Sequence, residues 1–405
     1  MKPANAGIAL AATLAIQIFV SLVATAPAVL APEIAGAFAI APKWVGVFVS
    51  LVYVGAMFAS LASGGFIERY GAIRVSQACV VLCLLGAALV ALAPGSVAAL
   101  LVAAALIIGI GYGPITPASS HVLIRTATPS NLALTFSIKQ TGVPAGAALA
   151  GALLPGLALA FGWRHAFVAM AITGLVVVAG AQSVRPALDA DRRDRGQRFS
   201  PARVFAPLAL VRRSRALTEL TLIALFYAAT QACLLTFLVV YLTEALGWTL
   251  IAAGLALTVT TIAGAAGRVV WGLVADRMLP PRAVLGGLGI VAGACSLLIA
   301  SAHGQWPTAA LLAVATVFGG TAIGWNGVQL AEVARHAPAG TAGLVTGASG
   351  FITFSGVVAG PPLFALLAAA TGSYRPGFVV FGLTSVLGGM TLLFTGRSSS
   401  PRKWK

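Results

Sequence analysis

Twelve apolar runs, each near the length needed to cross a lipid bilayer, constrain this chain more than any other feature. They fall near residues 7–30, 44–66, 75–93, 97–123, 131–161, 165–182, 216–242, 250–275, 283–301, 308–333, 341–370 and 376–395. One spanning helix needs about 20 mostly apolar residues, so twelve need roughly 240. The chain has 405 residues, 59% of them hydrophobic and only 8% charged, whereas soluble domains carry about 25% charged residues. So little charge cannot cover a water-soluble core of this size. In lipid the backbone must satisfy its own hydrogen bonds, which leaves helices for runs of this length. The expected fold is therefore an all-α membrane protein with twelve transmembrane helices. The first run begins behind Lys2 in the manner of a signal peptide. Its length and the eleven runs that follow make it a retained helix.

Six runs, a polar stretch and six more runs divide the chain into residues 1–182, a linker at 183–215, and residues 216–405 with a short basic tail. The linker holds nine arginines and three aspartates and has no apolar period, which predicts a solvated segment. A surface helix around 202–211 fits within it, its arginines suited to anionic headgroups. The net charge of +16 does not point to nucleic acid, because the basic residues are confined to the breaks between apolar runs. With the N-terminus inside, the cytoplasmic segments hold 20 Lys and Arg and the opposite side three, Lys43, Arg164 and Arg375. That asymmetry places both termini in the cytoplasm.

Cys79, Cys83, Cys233 and Cys295 lie within apolar runs and read as packing groups. His121, His165, His303 and His336 sit at helix ends and read as interfacial. No metal cluster, cofactor loop or catalytic set is assembled, so neither an enzyme nor a cofactor is expected. "GIGYGP" lacks the strand-turn-helix setting of a nucleotide loop. In "TGVPAGAALAG", Gly142 and Gly146 form a small-residue packing face, and Pro144 is expected to kink the helix.

The sequence repeats itself once. "GGFIERYGAIR" follows the second run and "GLVADRM" the eighth. Gly64, Glu68 and Arg69 match Gly272, Asp276 and Arg277 at an offset of 208 residues. Glycine lets helices approach closely, and an acid can accept from the exposed N–H groups of a helix start. These six residues are the expected gating set. Transporter folds carry internal repeats of this kind. The paired loops, with "GWRHAF" at the head of the sixth run, resemble the major facilitator superfamily along the whole chain. Arg268 in "GRVVWGLVADR" is similar to an arginine of its monocarboxylate-porter-like and oxalate:formate-antiporter-like branch. Two departures accompany the resemblance. Ala105 stands four residues before Gly109, where many members carry arginine, and Glu68 replaces the more usual aspartate.

The resemblance implies two pseudo-symmetric six-helix bundles around a central cavity, lined by runs 1, 2, 4, 5, 7, 8, 10 and 11. Two cations lie deep in such runs, Lys139 in the fifth and Arg268 in the eighth. No carboxylate falls at a helix centre. Ionisable groups at that depth are costly and usually functional. Lys139 either meets a substrate anion or snorkels to the interface. Arg268 either binds the same anion bidentately or bonds to backbone carbonyls and the gate acid. Gln17, Tyr53, Tyr112, Thr116, Tyr227, Gln231, Trp325, Asn326 and Gln329 supply the polar and aromatic surroundings, and the two cations with all of these but Thr116 and Gln329 form the expected substrate set. The reading is a secondary transporter of a small organic anion, a mono- or dicarboxylate, in the inner membrane of a bacterium. The partners are that anion, protons or a counter-anion, and membrane lipids, with no nucleic acid, and the protein is a monomer. Drug or metabolite efflux is the alternative within transport, and a transporter-like sensor a remote one.

Overall fold

The computed structural model describes residues 5–38, 44–94, 99–192 and 204–395. Among them every regular element is helical. Helices α1 (Ala6–Val29), α2 (Ala31–Ala37), α3 (Trp44–Tyr70), α4 (Ala72–Leu92), α5 (Ala99–Tyr112) and α6 (Ile115–Thr126) come first. A 3-10 turn, Pro129–Asn131, leads into α7 (Leu132–Gln140), followed by α8 (Gly142–Phe161) and α9 (Trp163–Leu188). Then come α10 (Ala206–Arg213) and α11 (Arg215–Val240), whose last turn widens into a π-turn, Tyr241–Ala245. The chain continues with α12 (Leu250–Arg277), α13 (Pro281–Ser301), α14 (Thr308–Ala322), α15 (Asn326–His336), α16 (Ala342–Thr371) and α17 (Arg375–Thr395).

Among the described residues, twelve segments are long and apolar enough to cross a membrane, in the places the apolar runs predict. Their outward side chains agree. Leu159, Val176, Leu366 and Phe394 are all exposed, an arrangement that lipid favours and water opposes. The sixth span runs on to Leu188, with Arg185 in its last turn, where a cation meets the negative end of the helix dipole. The surface helix expected in the linker is present as α10. It buries Pro207 and Val211 and exposes Arg212 and Arg213. The part of that expectation at 202–203 lies outside the described residues, as does Lys43.

Three spans are interrupted, and the interruptions build the sites. The fourth breaks at Gly113 and Pro114, the fifth at Thr141, and the tenth between Ala322 and Asn326. The expected kink at Pro144 appears as the break at Thr141. Proline lacks an N–H and its ring crowds the carbonyl four residues back, here that of Gln140, where α7 ends.

The chain forms two compact units. The first comprises Met1–Thr128, Lys139–Ser214 and Val333–Phe354, and the second Pro129–Ile138, Arg215–Glu332 and Ser355–Lys405. Each unit therefore takes one segment from the other half of the sequence. In the first, α1 packs on α8, and α5 packs on both α3 and α4. Gly109 makes the α3–α5 contact possible, since a Cβ there would stand 2.1 Å from the Val52 carbonyl oxygen. Cys79 and Cys83 are buried free thiols in this packing. In the second unit, α13 packs on α17 and α12 on α14.

Candidate functional site

Lys139 sits in the last turn of α7, where the carbonyls freed by the break favour a positive charge. Its side chain is 1% exposed and does not reach the surface of the protein. The ammonium Nζ donates to Gln17 Oε1 at 2.7 Å, Gln140 Oε1 at 3.0 Å and Thr116 Oγ1 at 3.3 Å. Gln17 comes from α1, and its own Nε2 donates to Ser21 Oγ at 3.1 Å. That pairing fixes the amide so that its oxygen faces the ammonium. These three bonds bring two neutral amides and a hydroxyl from three spans onto the ammonium. Tyr53 and Tyr112 form a T-shaped pair with centroids 6.3 Å apart, and Phe354 joins them.

Arg268 lies in α12 and is 3% exposed. Its Nε donates to the Ile323 carbonyl oxygen at 3.2 Å. Ile323 closes α14, so this cation also serves the carbonyl end of a half-helix. Its neighbours do the same. Trp271 Nε1 donates to the Gly320 oxygen at 2.8 Å, and Trp325 Nε1 to the Ala322 oxygen at 3.0 Å. Asn326 Nδ2 donates to Gln231 Oε1 at 3.2 Å. Tyr227 meets Trp325 edge-on with centroids 5.7 Å apart, and its hydroxyl donates to the Leu285 oxygen. Five residues singled out in the sequence, Arg268, Tyr227, Gln231, Trp325 and Asn326, therefore gather at the break of the tenth span. Gln329 contributes a bond to the Leu220 oxygen at 3.5 Å. A cavity of about 10 Å³ between Tyr227, Thr230, Trp325 and Ser385 has room for one water molecule and no organic solute.

The two matched loops differ in what their acids do. Asp276, at the end of α12, accepts from the backbone N–H groups of Ala133 at 3.1 Å and Leu134 at 2.7 Å. It is a two-bond cap on the start of α7, the position where an anion offsets the helix dipole. Arg277 adds a bond to Asn131 Oδ1 at 3.1 Å. Farther along α7, Ser137 is wedged between Gly272 and Gly327. A Cβ would stand 2.5 Å from its hydroxyl at the first glycine and 2.2 Å at the second. Glu68, by contrast, is exposed and accepts no hydrogen bond from the described residues. Arg69 lies over the Tyr70 ring at 5.2 Å. Gly64 faces Leu344, whose Cδ2 a Cβ would approach to 2.3 Å.

A second two-bond cap was not legible in the sequence. Asp189, just past α9, accepts from the Ile73 N–H at 2.8 Å and the Arg74 N–H at 3.0 Å. Burial pushes its carboxyl above the ordinary range, while those two amides, Arg185 and Arg125 pull it back. Gly71, with φ of +91°, lies against it, and a Cβ there would stand 2.3 Å from the carboxyl carbon. Asp191 pairs with His121 Nε2 at 2.7 Å and with Arg125. The signal for this cluster was a glycine before an apolar run and two acids after another, too common a pattern to single out.

Comparison with known proteins places these features in a wider group. The profile of the Major Facilitator Superfamily matches residues 13–361. A hexuronate transporter of Bacillus subtilis (strain 168) is 27% identical over 152 residues, 38% of this chain and 36% of that protein. An uncharacterized transporter of major-facilitator type from Mycobacterium tuberculosis is 25% identical over 283 residues, 68% of this chain and 60% of its own length. The chain thus spans about a third and three fifths of the two curated relatives. Among solved structures, the Escherichia coli fucose:proton symporter aligns with a TM-score of 0.77 at 19% identity, covering 98% of this chain and 100% of that one. A human organic anion transporter aligns at 0.73 with 17% identity, covering 95% and 97%. These structural likenesses carry the fold.

Proposed function

This chain belongs to the Major Facilitator Superfamily, and from that premise we propose that it is a secondary transporter of a small organic anion, a mono- or dicarboxylate, of the monocarboxylate-porter-like and oxalate:formate-antiporter-like branch. The observation that carries the reading is the pair of buried cations, Lys139 at 1% and Arg268 at 3% exposure, each within a span. Membrane proteins keep charge at such depth for substrates, ions or protons. One curated relative is named as a transporter of hexuronates, which are carboxylates. Lys139 offers a compact positive point and Arg268 a fork matched to a carboxylate. Gln17, Tyr53, Tyr112, Tyr227, Gln231, Trp325 and Asn326 supply amides and ring faces for the remainder of the solute. The halves alternate access around the site, with Gly64, Glu68, Arg69, Gly272, Asp276 and Arg277 as the gate. Protons or a counter-anion drive the cycle, and the monomer lies in a bacterial inner membrane with both termini in the cytoplasm.

The test is uptake by proteoliposomes of lactate, malonate and glucuronate, with and without an imposed proton gradient. The expected result is accumulation of at least one of them. Purified Lys139→Gln should remain folded and bind that anion about ten- to a hundredfold more weakly, the effect of losing a charged hydrogen-bond partner. Arg268→Lys should also weaken it, because the fork is lost while the charge stays. If wild-type vesicles take up none of the three, or both folded variants bind as tightly as wild type, the anion reading is wrong and efflux replaces it.

A further inference from the structure

We propose that Ser137 is a release device within the gate: its orphaned hydroxyl weakens the seat of α7 against α12 and α15, so that the contact capped by Asp276 can reopen. The inference rests on the gating role proposed above for Gly272 and Asp276. Its own support is a polar side chain buried in that contact without a hydrogen bond.

Ser137 is 0% exposed, and among the described residues its hydroxyl has no hydrogen-bond partner. A serine or threonine inside a helix can bond the carbonyl four residues back. Thr135, on the same helix, does so to the Asn131 oxygen at 2.7 Å, whereas Ser137 does not. Its side chain is held between two backbones, with Gly272 of α12 on one side and Gly327 of α15 on the other. Gly327 follows directly on the break of the tenth span, so one side chain touches both the helix of the signature loop and the broken span. The first repeat is built differently. Gly64, the counterpart of Gly272, faces the apolar Leu344. The serines near it on α3 are satisfied, Ser60 donating to the Gly347 oxygen at 3.2 Å and Ser63 to the Ser60 oxygen at 2.7 Å.

Native structures bury few polar groups without a partner, because each loses its bonds to water and gains none in return. An alanine at this position would fit the same slot without that penalty. The penalty applies only while α7 is seated, since separation from the two glycines returns the hydroxyl to water. Ser137 therefore raises the free energy of the seated state relative to the released one. Asp276 and Ser137 act on one contact with opposite sign. The carboxylate holds the start of α7 at Ala133 and Leu134, and the serine, one turn farther along, loosens it.

Hydrogen exchange at the Ala133 and Leu134 amides of the purified protein reads how often this seat opens, even where the open form is rare. Ser137→Ala should slow exchange at both about five- to a hundredfold, the range of one unsatisfied buried hydroxyl. The Ile73 and Arg74 amides, capped by Asp189 in the other unit, should exchange as in wild type. Thr135→Ala raises helix propensity on the same helix without removing an orphan, and so calibrates that effect. Slowing by Ser137→Ala no greater than by Thr135→Ala, or equal slowing at Ile73 and Arg74, overturns the inference. Asp276→Asn keeps the two failures apart. Faster exchange at Ala133 and Leu134 in that variant, with no slowing in Ser137→Ala, leaves the gate standing and removes this role of Ser137. Wild-type exchange there in Asp276→Asn removes the gate and this inference with it.

Discussion

The two signature loops place a glycine, an acid and an arginine at the same spacing, yet only one of their acids holds a helix. Asp276 receives two consecutive backbone N–H groups at the start of α7. Glu68 is exposed. At the corresponding helix start in the other unit, the Thr341 N–H turns back to the Pro338 oxygen at 2.9 Å and the Thr341 hydroxyl does likewise at 2.7 Å. That turn satisfies the amide locally, without a carboxylate. The two-bond cap of the first unit comes instead from Asp189, at the far end of α9 and from outside the repeat. A repeated motif thus marks where a carboxylate is available. Whether it caps a helix depends on what the next helix start already has.

The largest expected effect follows from removing the cap that the comparison favours. Asp276→Asn loses charge from both bonds, and hydrogen bonds to charged groups contribute about 1.5–3 kcal/mol. The start of α7 should loosen from α12. Spin labels at Ser130 and Leu279 should show a longer and broader distance distribution than wild type. An unchanged distribution would remove Asp276 from the gate.

Asp189→Asn comes next. The amide keeps one acceptor oxygen and turns the other position into a donor, so one of the two N–H bonds is lost at about 0.5–1.5 kcal/mol, and faster hydrogen exchange at the Ile73 and Arg74 amides should localise the loss to the start of α4. Protection equal to wild type at both amides would show that the cap contributes nothing. The pH dependence has a definite sign. Burial raises the Asp189 carboxyl above its ordinary value of 3.8, so the folded state holds that proton more tightly than the unfolded state. This contribution is fully present below 3.8 and is lost as pH rises through the raised value. The asparagine variant should lose that portion of the pH profile.

The smallest effect belongs to Glu68→Gln. An exposed acid with no hydrogen bond from the described residues should change stability by no more than about 0.5 kcal/mol. Labels at Ser130 and Leu279 report the α7–α12 contact that Asp276 caps, not the loop of Glu68, and should give wild-type distances. A shift as large as that of Asp276→Asn would make the two loops equivalent in spite of their different contacts.

Much of the architecture was legible in the sequence. Hydropathy is local and additive, so the twelve spans, the polar linker and the repeat at 208 residues could be read from the chain alone. So could the depth of Lys139 and Arg268, because depth along a helix follows from counting residues. Pro144 marked an interruption of the fifth span, although the break itself falls at Thr141, where the carbonyl the proline crowds belongs to the residue before it.

What only the tertiary structure decided is the company those residues keep. Gln17 is 122 residues from Lys139, and Ile323 is 55 from Arg268. Ala133 is 143 residues from Asp276. No periodicity relates such positions, since a contact between helices depends on how each is rotated and shifted against its neighbour. Those rotations are set by packing, as at Gly109 on the Val52 carbonyl and at Ser137 between Gly272 and Gly327. The amino-acid sequence determined that a lysine would lie deep in the fifth span. The packing of three spans determined that two glutamines and a threonine would surround it.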